Sequence, residues 1–113
     1  MRSAIALSLN SRNKGKKGEL EIANLLKTKY GYDNARRGQQ FHGGADSPDV
    51  VGVNGLHIEV KRVEKLNIDD ALAQSERDAG ENEIPVVFHR RNNQKWKTTL
   101  SLDNFMKIWR GSK

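Results

Sequence analysis

The sequence predicts one α/β or α+β domain of 113 residues around a single mixed sheet, with elements in the order αβββαββα. Three observations predict it. A lysine-rich segment near the N-terminus carries apolar residues at helical spacing. Two short apolar runs follow, joined by Asn54-Gly55, a strong hairpin signal. A second helix-period segment then leads into another strand pair across Asn92-Asn93. The length suffices for one modest core, so residues 1–113 read as a single domain.

Taken in order, residues 1–13 read as a loose basic arm. Residues 14–30, KGKKGELEIANLLKTKY, form a helix whose stripe is Ile22, Ala23, Leu26 and Tyr30, ended by Gly31. DNARRGQQF is a strand with a basic edge, and HGGADSP is a loop of turn formers. DVVGV and LHIEVKR are the hairpin strands. Asn67 can cap a helix over IDDALAQSERDA, with Ile68, Ala71, Leu72 and Ala79 on one face and Gly80 to stop it. PVVFHRR and WKTTLSL make the later strand pair, and DNFMKIW the last helix, with Phe105, Met106 and Trp109 apolar.

Charge is distributed unevenly. Residues 1–40 hold nine Lys or Arg and three acids, a balance of +6, whereas residues 41–113 hold eleven of each. A smaller basic group recurs at Arg90, Arg91, Lys95 and Lys97. Concentrated positive charge attracts a phosphate backbone, and nucleic acid is the partner class it favours over a solvated basic surface. No apolar run is long enough for a membrane span. The order of apolar patch and basic cluster at the start is the reverse of a secretory signal. Zero cysteines exclude disulfides and thiolate metal sites and fit a cytoplasmic protein.

The polar residues inside the hairpin strands carry the chemistry. Side chains alternate faces in a strand, so His57, Glu59 and Lys61 share one face and Ile58 and Val60 the other. A hairpin can bring Asp49 and Glu59 together on one side of the sheet. Paired carboxylates repel unless a cation lies between them, and oxygen ligands of this type suit Mg²⁺. Lys61 projects to the same side, where an ammonium can stabilise charge on a phosphate. In the first helix, Glu19 extends the apolar stripe and points toward the sheet, while Glu21 lies off that face. An inward carboxylate needs a partner.

These residues resemble a known family. Pro48-Asp49 followed by Glu59-Val60-Lys61 is similar to the PD-(D/E)XK nuclease signature, and KGKKGE, Lys14 to Glu19, resembles the helix-borne element of archaeal Holliday-junction resolvases and their phage relatives. The likeness covers roughly residues 14–90. It implies a restriction-endonuclease-like core, a mixed central sheet flanked by helices, and metal-dependent hydrolysis of DNA phosphodiesters with Mg²⁺ or Mn²⁺. Asp49 and Glu59 would bind the metal with the Val60 backbone carbonyl, and Lys61 would be the catalytic lysine. Glu19 would hold a second metal or a water on it, and Gln74 on the second helix would help position water or phosphate. It also implies a homodimer, for which Phe105, Met106, Ile108 and Trp109 could supply the interface. Residues expected along the DNA are Lys14, Lys16, Lys17, Arg36, Arg37, Gln39, His42, Arg62, Arg90 and Arg91. The chain departs from that branch in the loop before Pro48, where Arg36 and Arg37 precede Gln39 and Gln40, and Ser47 stands directly before Pro48.

Plainer explanations exist for each feature. Asp49 after Pro48 can be a turn residue. Glu59 and Lys61 can be an ion pair on a wet sheet face, and Glu19 a charge favoured by the helix dipole. The nuclease site accounts for all three together. His42, His57 and His89 lack zinc spacing and read as surface or half-buried histidines. Trp96 and Trp109 read as core anchors. The leading function is an endonuclease of branched DNA. The alternatives are a nicking or repair-type nuclease of the same fold, and a non-catalytic DNA-binding protein.

Overall fold

The computed structural model describes residues 4–38 and 47–111. Along the chain lie α1 (Ala4–Thr28), β1 (Arg36–Arg37), β2 (Val50–Val51), β3 (Leu56–Arg62), α2 (Ile68–Asp78), β4 (Ile84–Arg90), β5 (Lys97–Thr99) and α3 (Leu102–Gly111). That is the order the sequence predicts. Gln39 and His42, both expected on DNA, lie outside the described residues. No helix among the described residues is long and apolar enough to cross a membrane.

The first helix differs from its expected bounds. It begins at Ala4 rather than near Lys14, so most of the segment read as a loose arm is helical backbone. Ala4, Ala6, Leu7 and Leu9 are good helix formers and no Gly or Pro interrupts them before Gly15. At the other end the helix stops at Thr28, so Tyr30 leaves the stripe and is 59% exposed. Gly31 adopts φ +80°, and the Tyr32 N–H donates back to Leu26 O at 2.9 Å.

The five strands form one sheet in the order β1-β2-β3-β4-β5. β1 and β2 pair antiparallel with Arg37 beside Val50, and Val50 of β2 pairs antiparallel with Ile58 of β3. Gly55 takes φ +93° in the connecting turn, which Leu56 N–H closes onto Val53 O at 3.3 Å. α2 then carries the chain over to β4, which runs parallel to β3, and β5 returns antiparallel across Asn93, itself at φ +60°. Asn67 caps α2 as expected, its Oδ1 accepting from Asp70 N–H at 3.1 Å.

Ile22, Ala23 and Leu26 of α1 pack with Ala35, Val50, Ile58, Val60 and Val86 to form the core. Burying each of the Ile, Leu and Val side chains contributes roughly 1.5–3 kcal/mol. α1 can approach β3 closely because residue 18 is glycine: a Cβ there would lie 3.0 Å from Arg62 Cβ and 3.5 Å from Val60 Cγ1. This close seat sets the depth of Glu19, one residue on. α2 lies against β3 and β4, where Ser75 Oγ, buried, donates to the His57 and Val86 carbonyls at 3.2 and 3.3 Å.

Candidate nuclease site

The hairpin builds the centre of the site. Asp49 is held at two points: its N–H donates to Ile58 O and its Oδ2 accepts from Val60 N–H, both at 2.9 Å. Those two partners flank Glu59, so Asp49 is fastened to the strand on either side of the second carboxylate. Both side chains are buried, at 8% and 3% exposure. Burial pushes the Glu59 carboxyl up to about 8, helped by repulsion from Asp49 and a hydrogen bond with it, and opposed by Lys61. Asp49, Glu59 and Lys61 therefore act on one another, as the strand alternation predicts.

Glu19 joins them from α1. Its carboxyl is also raised, by burial first and then by Asp49, while Arg37 and Lys61 pull it down. Arg37 Nε donates to Glu19 Oε1 at 3.1 Å. Arg37 reaches it because its register partner is Val50, a core residue on the face that α1 covers. Arg37, expected on DNA, is thus engaged with the acid expected to hold a metal or water. Its neighbour Arg36 is exposed, with one guanidinium nitrogen donating to Asn34 O at 3.0 Å. Gln74 shares with Lys61 a cleft of about 280 Å³ that Asp70 and Asn67 also line.

Other expected DNA contacts divide. Lys16 and Lys17 are exposed on α1, and Lys14 lies 3.7 Å from Glu64 Oε1. Arg62 runs beneath Gly18 with its Nε buried and without a hydrogen-bond partner. Arg90 is bound bidentately to Glu21, Nε to Oε2 and Nη2 to Oε1, both at 2.9 Å. Glu21, read as lying off the functional face, is in fact central to this cluster: it also accepts the Trp96 indole N–H, and the Arg90 guanidinium stacks 5.4 Å from that ring's centroid. Arg90 lowers the Glu21 carboxyl below its usual value. Arg91 is exposed.

Three residues of this neighbourhood escaped the sequence reading. His57 is fully buried rather than superficial. Its Nε2 meets Glu59 Oε1 at 3.3 Å and its Nδ1 lies 3.4 Å from Glu83 Oε1. Among the described residues, the ligand atoms of His57, Glu59 and Asp78 lie within 4.8 Å of one another. Position 57 shares the face of Glu59 by alternation, so that part was legible. Asp78 ends α2 and Glu83 directly precedes β4, so both arrive on the crossover and carry no sequence signal.

A divalent cation fits this donor set. Two buried carboxylates lie beside the Lys61 ammonium, and burial first, then Asp49, raises the proton affinity of Glu59, which a cation would relieve. Hard oxygen donors answer to Mg²⁺ or Mn²⁺, and an imidazole beside them favours the later metal.

A family described as phage putative PDDEXK endonuclease matches residues 10–112. No curated protein and no solved structure matches the chain. A five-stranded mixed sheet flanked by helices is also the restriction-endonuclease-like core that the signature implies. With the match spanning nearly its whole length, the chain belongs to the family so described.

Proposed function

We propose that this protein is a metal-dependent endodeoxyribonuclease acting on branched DNA in the manner of a Holliday-junction resolvase. The observation that carries the nuclease reading is the convergence of buried Asp49 and Glu59 beside Lys61. Asp49 and Glu59, with the Val60 carbonyl, hold Mg²⁺ or Mn²⁺, which when bound supplies the charge that makes water a competent nucleophile at neutral pH. Lys61 places its ammonium against the charge that gathers on the scissile phosphate. Gln74, across the cleft from Lys61, orients water or a phosphate oxygen. Glu19, steadied by Arg37, holds a further water or ion at the rim.

A homodimer joined through α3 completes the reading, since a junction presents two strands to be cut. Phe105, Met106, Ile108 and Trp109 are each exposed by 38–50%, and Phe105 and Trp109 stack with centroids 6.4 Å apart. Asp103 near one end and Lys107 and Arg110 near the other make the helix electrostatically self-complementary when two copies pair antiparallel. Trp109 is accordingly not the core anchor its apolar setting suggested.

The test is cleavage of labelled four-way junction, nicked duplex, linear duplex and single strand with Mg²⁺, Mn²⁺ or EDTA, beside Glu59→Gln. Metal-dependent paired cuts in the junction, absent from the variant, are expected. Preference for another substrate would discard the junction and keep the nuclease. Binding without cutting under any metal would make the protein a DNA-binding module.

A further inference from the structure

The strand registers place three side chains in a row. Lys61 of β3 pairs with His89 of β4, and His89 pairs with Lys97 of β5. Register partners project from the same face of a sheet. The row Lys61–His89–Lys97 therefore crosses three strands at one level, starting from the catalytic lysine of the proposed site. Arg91 and Lys95, both exposed, extend it along the β4–β5 connection.

The row lies in a groove. The cleft that holds Lys61 and Gln74 has Val63 and Leu66 in its wall, and both also line a second cleft of about 240 Å³. That second cleft is lined by His89, Arg91, Lys95 and Lys97. Val63 and Leu66 thus stand between the two clefts as a shared apolar wall.

Of the cations lining the second cleft, Arg90 is paired with Glu21, whereas Arg91, Lys95 and Lys97 form no ion pair among the described residues. Glu64, its acidic member, accepts from Asn92 N–H at 3.2 Å and faces Lys14 at 3.7 Å. Crowding is felt electrostatically, for Lys97 adds to burial in depressing the His89 imidazolium. The hairpin that carries them is also fixed: Arg90 is clamped to Glu21 on α1 and stacked on Trp96. Uncompensated cations on a rigid concave frame favour a polyanion over a lone counter-ion.

We propose that this groove is a track for nucleic-acid phosphates on one side of the scissile bond, carrying the flanking backbone from Lys61 over Val63 and Leu66 onto Arg91, Lys95 and Lys97. It rests on the nuclease reading of the Lys61 site. Two strand spacings separate β3 from β5, roughly 10 Å, or about three nucleotide rises of ~3.4 Å along one strand. The contacts thus fall about three phosphates from the cut.

Two measurements test it. The first compares wild type with Arg91→Gln/Lys95→Gln/Lys97→Gln for binding to a labelled duplex in EDTA across a salt series, with thermal unfolding as the folding control. The variant should lose about two to three units from the slope of log K against log salt, near 0.9 per phosphate contact; an unchanged slope overturns the proposal. The second uses wild-type cleavage of substrates cut back to one or two nucleotides on either side of the scissile bond. Shortening one side alone should raise KM at least tenfold, and the triple variant should lose that asymmetry while its KM rises more than its kcat falls. Symmetric sensitivity in the wild type overturns the track. If wild type cuts nothing, the nuclease reading fails separately, and the EDTA binding series still decides whether the groove holds phosphates.

Discussion

His57 Nε2 and Glu59 Oε1 lie 3.3 Å apart in a fully buried contact, two residues apart on one strand. Glu83 Oε1 lies 3.4 Å from the other ring nitrogen without forming a hydrogen bond, so the imidazole stands between a peripheral carboxylate and the central one. That contact fixes Glu59 Oε1 on the side of the carboxyl facing His57. His57→Ala should lower divalent-metal affinity by roughly 10–100-fold, the usual cost of losing a partner behind a metal ligand. A titration of cleavage rate against Mn²⁺ should show the midpoint displaced, the rate recovering at saturation, and His57→Gln intermediate. A midpoint that stays put would make His57 a packing residue only.

Glu59 makes the metal-free protein sensitive to alkali. Its carboxyl is raised from 4.5 to about 8 in the folded chain, so the folded state keeps a proton that the unfolded state has released. That contribution is whole below 4.5 and is lost as pH rises through about 8. Thermal unfolding in EDTA should show Tm falling across that window. Glu59→Gln, which carries no proton to lose, should flatten the decline and be the more stable protein at its upper end, although it is expected to cleave nothing. Equal slopes for both proteins would assign the pH dependence elsewhere.

Adjacent arginines should behave differently. Arg36 is exposed, whereas Arg37 is spent on Glu19. Arg36→Ala should reduce the salt slope of DNA binding by about one unit. Arg37→Ala should leave that slope nearly intact and impair cleavage, because the half-buried Glu19 carboxyl loses its hydrogen-bonding cation. Identical salt slopes and rates for the two variants would mean that the ion pair does not form in solution.

The apolar face of α3 has a direct test. Trp109→Glu places a charge in the middle of the proposed two-fold contact, and sedimentation should show monomer where the wild type is dimeric. A dimer that survives the change locates the contact away from Trp109.

Much of this was local enough to read in the chain. Period-two alternation places Glu59 and Lys61 on one face, and Asn54-Gly55 folds Asp49 back beside them, because both effects act within a dozen residues. The helix stripe likewise aims Glu19 inward and reveals most of the α1 core, Ile22, Ala23 and Leu26. Partnerships between elements were not readable. Arg90 looked like a free cation and is bound to Glu21 of α1; His57 looked ordinary and lies between Glu59 and Glu83. A guanidinium contributes the same charge to a composition whether it is paired or solvated. Only the register of β4 against β3, set by the parallel crossover through α2, determines which acids meet which bases and carries the row of cations away from Lys61. The sequence by itself determined the element order and the carboxylate–lysine centre, and the tertiary structure decided which charges remain available to a substrate.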